Sequence, residues 1–191
     1  MAARRRRALL FASAALFALL LVAGGLVVRH RLGPKHFSTV TPGVLYRSGQ
    51  LTPEQLADAV DRHGIRTVVN LRAEDEYSRS DWYAREVATL EGLGVTHVDL
   101  PMRAGFPPSA PVLARWLELL DDPAARPLLV HCEHGVIRTG IMVGLYQVEQ
   151  LGLAAEDAPA RFERFGQKFP ERIQARIDEF FARYVPRRGA G

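Results

Sequence analysis

Ten consecutive residues concentrate the chemistry of this chain: His131-Cys132-Glu133-His134-Gly135-Val136-Ile137-Arg138-Thr139-Gly140. The cysteine is the chain's single one, so it can neither close an intramolecular disulfide nor build a cysteine-cluster metal site. Its neighbours must decide its role. The apolar run before it, Pro127-Leu128-Leu129-Val130-His131, reads as a buried strand, and the residues from Arg138 onward have helical periodicity. A turn between a strand end and a helix start gathers unpaired backbone N–H groups, and the helix dipole adds partial positive charge. Together these bind a tetrahedral oxyanion. Gly135 in mid-loop permits the positive φ that lets the amides converge. Cys132 would lie at the floor of this nest, where a thiol of ordinary pKa, about 8.5, falls far enough to ionise at neutral pH. Arg138, six residues later, can turn its planar guanidinium back over the anion and hold two oxygens. Taken singly, Cys132 reads as an inert buried thiol and Arg138 as a solvated helix-start residue. Their joint spacing is too specific for that reading.

Such a loop must be carried by a sheet. Residues 65–71, 95–100 and 127–131 are β-rich apolar runs, and helical patterns fill the intervals at 53–63, 80–93, 111–120, 138–151, 155–165 and 171–184. Thr52 is placed as the N-cap of the first helix and Gly64 as its stop, and Gly94 ends the second. Strands separated by helices predict an α/β fold with a mainly parallel central sheet flanked by helices on both faces. In such sheets ligands sit at the carboxyl ends of the strands.

The 191 residues, 48% hydrophobic and 24% charged, suit one globular core plus something short. Four arginines at positions 4–7 account for the net charge of +4, so the basicity gives no reason to expect a nucleic-acid partner. Residues 8–28 are apolar or small throughout, with Ser13 the one hydroxyl, and at about 1.5 Å per residue they match a hydrocarbon core of about 30 Å. This predicts one N-terminal transmembrane helix. The run exceeds a usual signal-peptide core and no good cleavage site follows it, so an uncleaved anchor is expected over a removed signal. The arginine block before the span favours a cytoplasmic N-terminus and an extracytoplasmic catalytic domain. The expected organisation is an anchor with its basic flank at 1–28, a linker at 29–43, a folded domain at 44–186 and a tail at 187–191.

The spacing His-Cys, five residues, Arg-Thr-Gly resembles the signature of the cysteine-dependent protein tyrosine and dual-specificity phosphatase superfamily. Leu45-Tyr46-Arg47-Ser48-Gly49-Gln50 and Val69-Asn70-Leu71-Arg72 are similar to upstream segments of its small bacterial, plant and fungal members. The resemblance covers about 140 residues loosely and implies a dual-specificity phosphatase-like fold. It also implies attack by the Cys132 thiolate on phosphorus, with Arg138 and the loop amides gathering the equatorial oxygens, then hydrolysis of a phosphocysteine without metal or cofactor. His131 would orient the loop and tune the thiol, and Thr139 would assist thiolate departure. Glu133, His134, Gly135, Val136 and Ile137 complete the phosphate-binding loop, with Glu133 and His134 as solvent-facing members.

Two departures from the family pattern bear on chemistry and substrate. The loop that normally supplies a general-acid aspartate reads Leu100-Pro101-Met102-Arg103-Ala104-Gly105-Phe106 and holds no carboxylate. Asp99 is the nearest candidate, with Glu74, Asp75 and Glu76 in another loop. Glu133 in the signature loop, where phosphoinositide-directed members tend to carry lysines, disfavours a polyanion through like-charge repulsion. A phosphoprotein or other monophosphate ester is therefore expected. A phosphate-binding module without turnover and a rhodanese-like sulfurtransferase are the rival readings, the second opposed by the Arg138-Thr139-Gly140 spacing.

Overall fold

The computed structural model describes residues 35–158 and 169–187. Five strands, β1 (Ser38–Thr41), β2 (Leu45–Ser48), β3 (Thr67–Asn70), β4 (Thr96–Asp99) and β5 (Leu128–His131), form one sheet in the order β1-β2-β5-β3-β4. β1 runs antiparallel to β2, and all other neighbours are parallel. The expected mainly parallel sheet is therefore present, with β5 and its carboxyl end at the centre.

Alternation along the strands sorts the core into two layers, because successive side chains of a strand point to opposite faces. Tyr46, Val68 and Leu129 face one side and pack with Leu56 and Ala59 of α1 (Pro53–His63) and Leu90 of α2 (Trp82–Leu93). Leu45, Val69, Leu128 and Val130 face the other. There they meet Trp116 of α3 (Ala110–Asp121), Ile141 and Leu145 of α4 (Ile137–Leu151), and Ile177 and Phe181 of α5 (Glu171–Arg183). Trp116 is fully buried, and its indole N–H is satisfied by the Met142 carbonyl at 3.1 Å, as a buried donor requires. Thr52 caps α1 in a reciprocal capping box with Gln55, and Gly64 and Gly94 end α1 and α2 in left-handed conformations.

Several expectations need correction. β1 lies inside the stretch 29–43 expected as a linker, so the sheet begins before residue 44; backbone pairing to β2 recruits this polar segment. Arg187, expected in the tail, donates from Nε to the buried Glu149 at 3.0 Å and from Nη1 to Asp121 at 2.8 Å, which anchors the chain end to the domain. The helix expected at 155–165 starts as a short 3-10 turn, Ala155–Asp157, followed by the buried Ala158, and residues 159–165 lie outside the described residues. The apolar span at 8–28 lies outside them too. Among the described residues no helix is long and apolar enough to cross a membrane.

Candidate active site

β5 delivers His131 and Cys132 to the carboxyl edge of the sheet, and α4 begins at Ile137. No side chain caps α4, so its first-turn N–H groups are left to the loop between. Gly135 has φ +71° and donates its N–H to Cys132 Sγ at 3.3 Å. A Cβ there would lie 2.5 Å from the Ser48 carbonyl carbon, so glycine is required by conformation and by space. That close approach lets the 47–50 segment brace the loop. Arg47 donates to the Gly135 carbonyl at 2.7 Å, and the Gln50 N–H donates to the Glu133 carbonyl at 3.1 Å.

Cys132 is 3% exposed. Burial alone would push its thiol up. The Arg138 guanidinium, the Thr139 hydroxyl and the N–H groups of Thr139 and Gly135 outweigh burial and lower its pKa, which favours the thiolate. Among the described residues the buried Thr139 hydroxyl has no oxygen or nitrogen partner.

Arg138 is equally buried and is held from behind. Its Nη1 donates to Glu76 Oε1 and, at 3.3–3.4 Å, to the Met102 and Leu71 carbonyls; its Nη2 donates to Glu76 Oε2 at 3.3 Å. Glu76 sits on the 3-10 segment Glu74–Arg79 after β3, where it also accepts from Arg72 Nε at 3.0 Å and from the Ala73 N–H at 3.1 Å. Burial would raise the Glu76 carboxyl, but the hydrogen bond from Arg138, with those from Ala73 and Arg72, brings it down to about 2. The guanidinium is thus fixed in plane before any ligand arrives.

Behind the thiol stands a second buried carboxylate. Glu86 of α2 is 4% exposed; its Oε1 meets His131 Nε2 at 3.1 Å and His97 Nε2 at 3.2 Å, and its Oε2 accepts from the Gln50 amide at 2.5 Å.

Of the nine loop residues read from the sequence, the structure converges Cys132, Arg138, Thr139, Gly135 and His131 on one point. Val136 is buried and Ile137 packs against the core. The side chains of Glu133 and His134 stand at the rim, 45% and 57% exposed, with His134 Nδ1 3.5 Å from the Glu133 carboxylate. Asp99, the candidate acid, is engaged at both oxygens: Asn70 donates at 2.7 Å and the Tyr83 hydroxyl at 2.6 Å. It lies two strand spacings from His131, about 10 Å. Glu74 and Asp75 are exposed, Asp75 paired with Arg79 at 2.6 Å. The loop at 101–106 carries no carboxylate and is pinned instead: Arg176 of α5 donates to the Gly105 carbonyl at 2.6 Å, and Arg176 and Arg103 lie 3.8 and 4.2 Å from the centre of the Phe106 ring.

The sequence reading missed Glu86 and did not separate Glu76 from its acidic neighbours. A signal for Glu86 existed, since with Trp82 and Leu90 it falls on one buried stripe of α2, where an ionisable residue demands a partner.

Comparison with known proteins agrees with this geometry. The chain is 32% identical over 123 residues to "Probable NAD kinase 2, chloroplastic" of Oryza sativa subsp. japonica, a match covering 60% of this chain and 12% of that protein. It is 34% identical over 112 residues to Protein tyrosine phosphatase type IVA 3 of Bos taurus, covering 56% of this chain and 58% of that one. The chain thus spans a small part of the rice protein and little more than half of the bovine one. The core catalytic domain of the PP-IP phosphatase SIW14 from S. cerevisiae, solved in complex with citrate, shares the fold. Its TM-score is 0.63 at 23% identity, covering 80% of this chain and 86% of that one. A family model described as DSP-PTPase phosphatase fused to NAD+ kinase matches residues 30–175, three quarters of the chain and the whole of the loop described above, and the chain belongs to that family of cysteine-based dual-specificity phosphatases.

Proposed function

We propose that the chain hydrolyses phosphate monoesters through a phosphocysteine on Cys132. The observation that carries this reading is the buried Cys132 sulfur, bonded by the Gly135 N–H at 3.3 Å and lowered in pKa by Arg138. A phosphoryl group in the nest meets the thiolate below and the guanidinium beside it. The S–P bond forms as the ester P–O bond breaks, and the departing oxygen takes a proton. Water then cleaves the S–P bond, and the Thr139 hydroxyl, free of other partners, stabilises the thiolate as it leaves. Phosphotyrosine in a protein is the favoured substrate. Glu133 at the rim opposes additional phosphates and no lysine lies in the loop, which suits the activity named for the bovine relative better than the PP-IP activity named for SIW14.

The test is phosphate release from an activated aryl phosphate. Cys132→Ser should abolish turnover while vanadate still binds, because the nest is built from backbone. Arg138→Lys should cost about 10²–10³-fold in kcat/KM, since a point charge cannot replace the bidentate fork. Turnover retained in Cys132→Ser would end the nucleophile assignment. Vanadate binding without any wild-type turnover would favour a binding module, a reading that the carboxylate-free loop at 101–106 keeps in play. For location we infer a single-pass anchor at residues 8–28 with the catalytic domain outside the cytoplasm, supported by the length of the apolar run and the arginine block before it.

A further inference from the structure

Glu86 belongs to α2, 46 residues before Cys132, and nothing in the loop signature calls for it. Yet a carboxylate 4% exposed is costly unless it is fully compensated. Its compensation runs straight to the catalytic loop. His131 Nε2 lies 3.1 Å from Glu86 Oε1, and a carboxylate can only accept, so Nε2 carries a hydrogen. That leaves His131 Nδ1 buried, without a full hydrogen bond, on the side of the Cys132 backbone.

Three charge environments are available for this ring. With Nδ1 bare, a buried lone pair lies beside the Cys132 backbone with no donor to satisfy it, which is unfavourable. With Nδ1 protonated, the ring is an imidazolium between two anions, the Glu86 carboxylate and the Cys132 thiolate. Moving the hydrogen from Nε2 to Nδ1 would abandon Glu86. Burial opposes the charged ring, but Glu86 and Cys132 outweigh burial and raise His131 above the ordinary histidine range. The groups facing Glu86 from neighbouring elements are His131 on β5, His97 on β4 and Gln50 from the β2–α1 connection, while Glu54 and Arg85 border the same hollow and the Tyr83 hydroxyl goes to Asp99. His131 is the one among them that also borders the sulfur.

We propose that Glu86 is a positioning residue for the reaction: it fixes the His131 ring and holds a second proton on Nδ1, so that an imidazolium stands against the Cys132 thiolate. Gln50 sets the carboxylate in its plane, and the same Gln50 braces the loop through its N–H to the Glu133 carbonyl. The inference rests on the phosphatase reading for its significance but can be measured apart from it.

The experiment is the pH dependence of Cys132 alkylation by iodoacetamide in the full chain, wild type against Glu86→Gln. Glutamine keeps an acceptor for Nε2–H and removes the charge. The midpoint of alkylation should rise by about one pH unit, a tenfold loss of thiolate on the acid side, with the chain still folded. On a His131→Gln background the same substitution should have no further effect, because the intermediary is gone. An unchanged midpoint in Glu86→Gln, with only the melting temperature reduced, would mean a merely structural role and overturn the proposal. If Glu86→Gln does not fold, 15N-histidine NMR of the wild type decides: a doubly protonated His131 at neutral pH supports the proposal, and a neutral ring overturns it. Alkylation reads the thiol whether or not any ester is cleaved. A midpoint that rises in Glu86→Gln therefore supports the proposal even if the wild type turns over no phosphate, a result that would count against the phosphatase reading alone.

Discussion

Arg138 meets its substrate already half engaged, since Glu76 occupies one edge of the guanidinium and the Leu71 and Met102 carbonyls crowd the same nitrogen. Removing the Glu76 charge would leave Arg138 and Arg72 buried with an uncompensated cation between them, a loss of about 3–5 kcal/mol in comparable buried pairs. Glu76→Gln should therefore lower the melting temperature at neutral pH and impair turnover. The folded state brings the Glu76 carboxyl down from 4.5 to about 2. A depressed carboxyl contributes stability that is fully present above its unfolded pKa and is lost as pH falls through the folded value. Wild type should lose that contribution between those two pH values, and Glu76→Gln should lose less across the same window. Thermal melts through the acid range check this; parallel curves for the two proteins would contradict it. Cys132 and Arg138 were legible in the sequence because the loop encodes both in one short spacing. Glu76 was not, because Glu74, Asp75 and Glu76 are chemically alike in sequence, and only the turn of the 3-10 segment decides which carboxyl points inward.

At the scale of elements, α1 to α5 and the strands β3, β4 and β5 follow from periodicity, caps and glycine stops. β2 does not, since Arg47 and Ser48 are buried there by the loop they support and break any apolar pattern. The position of the acid is also an element-scale question. Asp99 ends β4 one strand beyond β3, with Asn70 and Tyr83 donating to its two oxygens. Both carboxylate oxygens are thus already occupied as acceptors. A positioned general acid contributes about 10²–10⁴-fold, most where the leaving group is a strong base. Wild type should thus show a steep dependence of kcat/KM on leaving-group pKa across a series of aryl phosphates, and Asp99→Asn should show the same slope. A flat dependence that steepens only in Asp99→Asn would make Asp99 the acid. A flat dependence in both proteins would assign the role to another group, such as Glu74 or Asp75.

For the whole folded domain, the sheet with helices on both faces was readable because the strands alternate between two apolar faces, each with helical stripes to cover it. The proposed N-terminal anchor rests on sequence alone. Protease added to spheroplasts of a bacterial expression host should degrade the catalytic domain before lysis; protection until lysis would put the domain in the cytoplasm. The tie between α5 and the loop at 101–106 has a consequence for kinetics. Arg176 at the Gly105 carbonyl, Arg103 and Arg176 on Phe106, Arg138 at the Met102 carbonyl, and the Met102 N–H on the Leu71 carbonyl at 3.2 Å hold that loop from several sides. A segment so fastened has no swing to make through solvent. Where a closing lid limits turnover, added sucrose slows kcat in proportion to the drag on the moving segment; here kcat should be indifferent to microviscosity, with bond breaking setting the pace.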